Sequence, residues 1–189
     1  MPITGVLPGS GIYEADEDVT INLDAYPGRM VETEIGYRFD SAISEPVGNV
    51  DQLQKRVAAV FAVIEVPGGD TEEAHSPTAA DLAAWNGSAK AIITGPEHDA
   101  SEVDPDDVDI ALKHNGDVIS EAHGDEAAGG QYATLLKTVN HLVSQGYTIK
   151  PDHPITNGAL GGIITMETGT YRADFGQLGT IEFEGVRED

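Results

Sequence analysis

Glu32 and Glu34 stand two residues apart in Met30-Val-Glu-Thr-Glu-Ile-Gly-Tyr-Arg-Phe39. Alternation along this segment puts Val31, Ile35, Tyr37 and Phe39 on one strand face and Glu32, Glu34 and Arg38 on the other. Glutamates at i and i+2 of a strand point the same way, close enough to share a hard cation. An oxygen-only, sulfur-free ligand set suits Mg²⁺, Mn²⁺ or Ca²⁺. The same pattern also describes the wet face of any amphipathic strand. Glu65 bears on that choice, because it interrupts 57–66, a run that otherwise reads as core. An ionised carboxylate buried there is costly unless a metal or another cation neutralises it; alternatively the strand end protrudes beside Pro67 and Glu65 faces water. If buried, the three glutamates could ligate one divalent ion, leaving its other positions to water and substrate oxygens.

Other motifs carry less chemistry. Asp174-Phe-Gly matches a kinase magnesium motif, but no glycine-rich loop, strand lysine or catalytic-loop signature accompanies it. The histidines at 75, 98, 114, 123, 141 and 153 show no ligand spacing and read as surface residues. Asn86-Gly-Ser88 has the form of a glycosylation sequon, which means nothing without secretion. No nucleophile elbow is evident, and the absence of cysteine removes disulfides, thiolate zinc sites and cysteine nucleophiles together.

Thirty-three acidic residues against 10 basic ones give a formal charge of -23 over 189 residues. Such a surface repels phosphate backbones and anionic lipid, which argues against nucleic-acid and membrane partners. It attracts cations, and its bulk also fits a surface tuned for solubility in salt. The longest apolar run, 57–64, falls well short of the roughly 18 residues a membrane span needs. The N-terminus lacks a basic stretch followed by a long apolar one, so the expected address is cytoplasmic.

The elements that must position the glutamates follow from periodicity. Asn49 caps a helix expected over about 50–60, and a buried strand follows to Val66, stopped by Pro67-Gly68-Gly69. Ser76-Pro77 signals a short helix over 78–85, and 88–94 reads as a strand ended by Gly95-Pro96. The acidic 97–107 reads as a surface connection. Asn115-Gly116 between 108–113 and 118–121 marks a hairpin. Leu135, Leu136, Val139, Leu142 and Val143 form one helical stripe ending at Gly146. Strands at 163–166, 170–175 and 180–186 complete the chain, while the first 28 residues show one strand, 19–23. The expectation is an α+β fold, mostly β, with an irregular mixed-sheet or barrel-like core and about three helices. It divides into an irregular segment, 1–29, and a catalytic domain, 30–189.

Five segments in register resemble the fumarylacetoacetate hydrolase superfamily, in the branch of 2-keto-4-pentenoate hydratase and 4-oxalocrotonate decarboxylase. They are Val31-Glu-Thr-Glu-Ile-Gly, Ala62-Val-Ile-Glu65-Val, Asp81-Leu-Ala-Ala-Trp-Asn86-Gly-Ser88, Ile155-Thr-Asn-Gly-Ala-Leu-Gly161 and Tyr171-Arg-Ala-Asp-Phe-Gly-Gln-Leu-Gly-Thr-Ile181. The resemblance implies Mg²⁺ or Mn²⁺ on Glu32, Glu34 and Glu65. It implies a small anionic 2-oxo or 2-hydroxydienoic acid as substrate, chelated through its carboxylate and 2-oxygen, and hydration or decarboxylation as the reaction. It puts Asp81, Asn86 and Ser88 at the pocket edge. Asp81 and Lys90 become the catalytic candidates, and Asn86, Ser88, Asn157 and Gly158 the substrate contacts. It also implies a homo-oligomer, or a hetero-complex with a related subunit.

This sequence departs from the family pattern. The family's N-terminal portion, with a Lys-(Val/Ile)-Gly-Leu-Thr-type segment, is not in it. Trp85 replaces an Asp and Asn157 a Thr of the hydratases, and Lys90, at a position commonly glycine, lies two residues from Ser88 on an expected common strand face, where it could replace the missing lysine. Two rivals to a lyase therefore stand beside it: a catalytically weak partner of a full-length subunit, and a hydrolase cleaving a C–C bond of an acylpyruvate.

Overall fold

The computed structural model describes residues 3–26, 28–68 and 78–188. In chain order these form β1 (Ile12–Glu14), β2 (Thr20–Asn22), β3 (Met30–Phe39), α1 (Val50–Gln54), β4 (Val57–Val66), α2 (Ala79–Ala84), β5 (Ala91–Thr94), β6 (His98–Asp99), β7 (Asp109–His114), β8 (Asp117–His123), α3 (Gln131–Ser144), β9 (Ile155–Thr156), β10 (Leu160–Thr165), β11 (Gly169–Asp174) and β12 (Thr180–Val186). The fold is α+β, with three helices among the described residues and two mixed sheets.

One sheet runs β1-β5-β4-β3-β10, with β6 pairing to β4 and β9 to β3; the other runs β2-β12-β11-β7-β8. Ile35, Ile64 and Ile93 from the first sheet meet Leu112, Tyr171 and Phe183 from the second and Leu135 and Val139 from α3 in one buried cluster. Antiparallel β3 and β4 are the spine of the first sheet. Their register sets Glu32 opposite Glu65, Glu34 opposite Val63 and Gly36 opposite Phe61. A Cβ at Gly36 would come within 2.3 Å of the Phe61 ring, so glycine is what lets the two strands carry that aromatic there.

Several expectations hold in place. The Asn115-Gly116 turn has positive φ at both residues, as the tight hairpin between β7 and β8 requires. The α3 stripe is buried at Leu135, Val139, Leu142 and Val143, and Gly146 lies beyond it at φ 87.

The helix expected over 50–60 has only five residues, and β4 begins at Val57. Leu53, Val57, Val60 and Phe61 have helical spacing, but 57–66 is β-branched-rich and almost wholly buried, the composition of a central strand covered on both faces. The strand expected over 88–94 starts at Ala91, because Asn86, Gly87 and Ser88 all take positive φ in a 3₁₀ turn. Lys90 therefore does not share a strand face with Ser88. The connection 97–107 is more built than a surface loop: β6 pairs with β4, and Val103 and Pro105 are buried. The start signal at Ser76-Pro77 lies outside the described residues, and Thr78 caps α2 in a reciprocal box with Asp81. Between residues 3 and 26, β1 joins β5 and β2 joins β12, so this segment contributes a strand to each sheet.

Candidate metal centre

Glu32 and Glu34 leave β3 on the face turned away from the main core, and Glu65 leaves β4 on the same face directly across from Glu32. One carboxylate oxygen from each lies within 4.8 Å of those of the other two. Glu34 is 1% exposed, and Glu32 and Glu65 are partly buried. Of the two readings open for Glu65, the structure selects the buried one, with the three glutamates converging.

Among the described residues no protein cation compensates them. Arg38, the basic residue on their strand face, is bonded through Nε to Glu97 and through an NH1 donor to the Asp152 carbonyl. None of the three glutamates forms an ion pair among the described residues. Burial first, and then the Glu34 charge, pushes Glu32 up to about 7. Burial, followed by the charge of Glu34 and the hydrogen bond with it, pushes Glu65 up to about 10. Glu34 is raised by burial and partly drawn back by contact with Glu65, Thr156 and the Gly158 N–H. Without a cation the cluster must hold protons.

The donor set fits a hard divalent ion. Gly158 N–H donates to Glu34 Oε2 at 3.1 Å, fixing that carboxylate, while its Oε1 is buried with no hydrogen-bond partner. An unpartnered buried carboxylate oxygen in a cluster with two further carboxylates is what an oxygen-seeking cation satisfies.

A cavity of about 1000 Å³ opens over the glutamates. Ser88, Asn157 and Gly158 line it as well. Asn157 Nδ2 donates to the Gln131 carbonyl at 3.0 Å and to Gln131 Oε1 at 3.1 Å; Gln131 Oε1 also accepts from the Tyr37 hydroxyl at 2.8 Å. The loop after β9 is thereby tied to α3 and β3. Asn86 instead holds the N-terminal segment, exchanging hydrogen bonds with the Val6 backbone at 3.0 and 2.9 Å.

Asp81 and Lys90 are not among the residues lining the cavity. Asp81 Oδ2 accepts from the Thr78 amide and hydroxyl in the α2 cap. Lys90 Nζ donates to the Ala25 carbonyl and lies 4.3 Å from the centre of the Tyr26 ring. Residues not singled out from sequence do reach the wall, among them Asp152, His153 and Thr156, together with Leu7 and Ile12. His153 Nδ1 accepts from the Lys150 amide at 3.3 Å, which leaves the ring proton of the neutral form on Nε2. A lone histidine in a loop carries no sequence signal for such a position.

No family model matches the sequence, and no curated protein matches it. Solved structures do. The chain is similar to 4-oxalocrotonate decarboxylase from Pseudomonas putida complexed with magnesium and adipate, at 17% identity and a TM-score of 0.85, over 94% of this chain and 67% of that one. It is similar to fumarylpyruvate hydrolase from Pseudomonas aeruginosa in complex with Mn²⁺ and pyruvate, at 16% identity and a TM-score of 0.71, over 94% and 74%. It is also similar to maleylpyruvate hydrolase from Sphingobium, at 18% identity and a TM-score of 0.70, over 96% and 64%. The fold is thus the one used by fumarylacetoacetate hydrolase family members, 4-oxalocrotonate decarboxylase included. The chain spans about two thirds of the length of the decarboxylase and of maleylpyruvate hydrolase.

Proposed function

We propose that the protein is a divalent-metal-dependent lyase that holds Mg²⁺ or Mn²⁺ on Glu32, Glu34 and Glu65 and hydrates a short 2-oxo or 2-hydroxydienoic acid of the 2-keto-4-pentenoate type. One observation carries this reading: three glutamates converge within 4.8 Å, with no ion-pair partner among the described residues, at the side of a large cavity. Similar structures complexed with magnesium and adipate, and with Mn²⁺ and pyruvate, support it. A cytoplasmic, homo-oligomeric enzyme of aromatic-compound catabolism is part of the same proposal.

A bound cation would supply positive charge for the substrate carboxylate and Lewis-acid polarisation of its 2-oxo group. The chain's own residues do the rest. The Gly158 amide orients Glu34, and the Asn157–Gln131–Tyr37 hydrogen bonds hold the loop that bears it. Ser88, Asn157 and Gly158 offer polar wall to the oxygen-rich end of the acid. His153 and Asp152 also line the wall, with His153 Nδ1 accepting from the Lys150 amide.

Titration with Mn²⁺, followed by the loss of its free electron-paramagnetic signal, tests the proposal. One saturable site is expected, weakened at least about 100-fold in Glu34→Ala, because a cation of this kind draws its affinity from its charged oxygen ligands. No saturable binding, or binding that Glu34→Ala leaves untouched, would overturn it.

A further inference from the structure

At about 1000 Å³ the cavity is far larger than a pyruvate-sized acid needs, and its charge is one-sided. Glu32, Glu34, Glu65 and Asp152 line it, against Lys137 and His153 as its basic side chains among the described residues. Lys137 Nζ is held to the Ala128 carbonyl at 3.3 Å. Arg38 and Lys90 are engaged elsewhere, by Glu97 and the Asp152 carbonyl and by the Ala25 carbonyl and Tyr26 ring. Among the described residues the wall contains no arginine fork of the sort that recognises carboxylates.

Beyond the polar segment of Thr156, Asn157 and Gly158, the ladder neighbours of the glutamates are apolar. Val63 lies across from Glu34 and Ile92 across from Glu65 in the strand ladder. With Phe61 they form an apolar cluster separate from the main core, and Leu7 and Ile12 pack on it. Leu7 and Ile12 line the cavity in turn, joined there by Leu82, Trp85, Ile155 and Ile163.

From this juxtaposition we infer, resting on the metal-dependent part of the reading above and departing from its short acid, that the substrate is a 2-oxo monocarboxylic acid whose far end is an extended apolar chain and not a second carboxylate. A cation held on Glu32, Glu34 and Glu65 would supply positive charge for one carboxylate end of the acid. A second carboxylate would be desolvated against leucine, isoleucine and tryptophan with no guanidinium to receive it. An apolar tail gains from the same wall about fourfold in affinity for each methylene it buries.

Binding of 2-oxo acids to the Mn²⁺-loaded protein, measured by calorimetry, tests the inference. Affinity should rise about fourfold per methylene from 2-oxobutanoate to 2-oxooctanoate. The six-carbon diacid 2-oxoadipate should bind at least about tenfold more weakly than 2-oxohexanoate, because its second charge is buried unpaired. Trp85→Ala should weaken 2-oxooctanoate while leaving 2-oxobutanoate within about twofold, a split that general unfolding would not produce. A flat chain-length series, or 2-oxoadipate binding as well as 2-oxohexanoate, overturns the substrate class and leaves the metal reading standing. Failure of Mn²⁺ itself to bind overturns both.

Discussion

The two faces of the β3–β4 ribbon are made by alternate residues of the same two strands and are built to opposite requirements. One face carries Val31, Ile35, Tyr37, Val60, Ala62 and Ile64, all at most 1% exposed, in a core shared with the second sheet and α3. The other carries Glu32, Glu34 and Glu65 beside the small cluster of Phe61, Val63 and Ile92. The first face lowers the free energy of the chain by removing hydrocarbon from water. The second raises it, because three carboxylates are partly or wholly desolvated with no counter-charge among the described residues. A period of two makes this division possible: one strand can serve packing with its odd residues and chemistry with its even ones. The core face supplies the rigidity that holds the three carboxylates of the other face together.

The largest expected effect separates the faces by damaging the first alone. Ile93 on β5 is fully buried in the main core, paired with Ile64 and turned away from the glutamates. Ile93→Ala should lower stability by about 2–5 kcal/mol in urea unfolding, through lost burial and the cavity left behind. Mn²⁺ affinity of the folded variant should stay within about threefold of the parent. A parallel loss of affinity would mean that the faces are not independent and would break the comparison.

The second test acts on the site face and should have the opposite sign. Glu65 is pushed up to about 10, chiefly by burial and then by Glu34, so at pH 8 the metal-free protein must take up a proton there on folding. Glutamine needs none. In chelator, Glu65→Gln should therefore raise stability by about 1–3 kcal/mol while abolishing the gain that Mn²⁺ gives the parent. If Glu65→Gln destabilised the metal-free protein as a core substitution does, the site face would be ordinary packing.

The core face and the carboxylates were legible in the sequence for local reasons. Alternation in 30–39 assigned each residue to its face, and Glu65 stood out as a charge inside an apolar run. Long-range geometry was not legible. Nothing local says that Glu65 sits opposite Glu32 and not one residue away, a slip that would turn it into the core. The expected helix over 50–60 failed because the helical spacing of Leu53, Val57, Val60 and Phe61 is also what a nearly continuous apolar run contains, and burial on both faces decided for the strand. Leu7 and Ile12 reach the cavity because β1 pairs in parallel with β5, a contact across some eighty residues of chain. The fates of Asp81, bound into a helix cap, and of Lys90, bound to the Ala25 carbonyl, likewise depend on neighbours that residue type does not announce.

The smallest effect concerns pH and sharpens the comparison further. Burial, and then the Glu34 charge, push Glu32 up to about 7 in the metal-free fold, from an ordinary 4.5, by disfavouring its ionised form. A carboxyl raised in this way contributes stability that is fully present below the unfolded value, where both states are protonated. That contribution is lost as pH rises toward 7, while the unfolded chain gives up its proton and the folded one keeps it. Metal-free protein should therefore lose on the order of 1 kcal/mol between pH 5 and 7 through this residue. The other acidic residues of a chain of charge -23 add a repulsive slope of the same sign, so the quantity to measure is the difference between parent and Glu32→Gln at each pH. That difference should grow from pH 5 to 7 in favour of the variant and level off above. With Mn²⁺ present the parent should behave in reverse. The cation displaces the protons, so its affinity should rise by up to about tenfold per pH unit over the same window for each proton released. A parent and Glu32→Gln pair with parallel stability curves, or an Mn²⁺ affinity flat from pH 5 to 7, would show that Glu32 is as solvated as any surface carboxylate and that the two faces differ less than their geometry says.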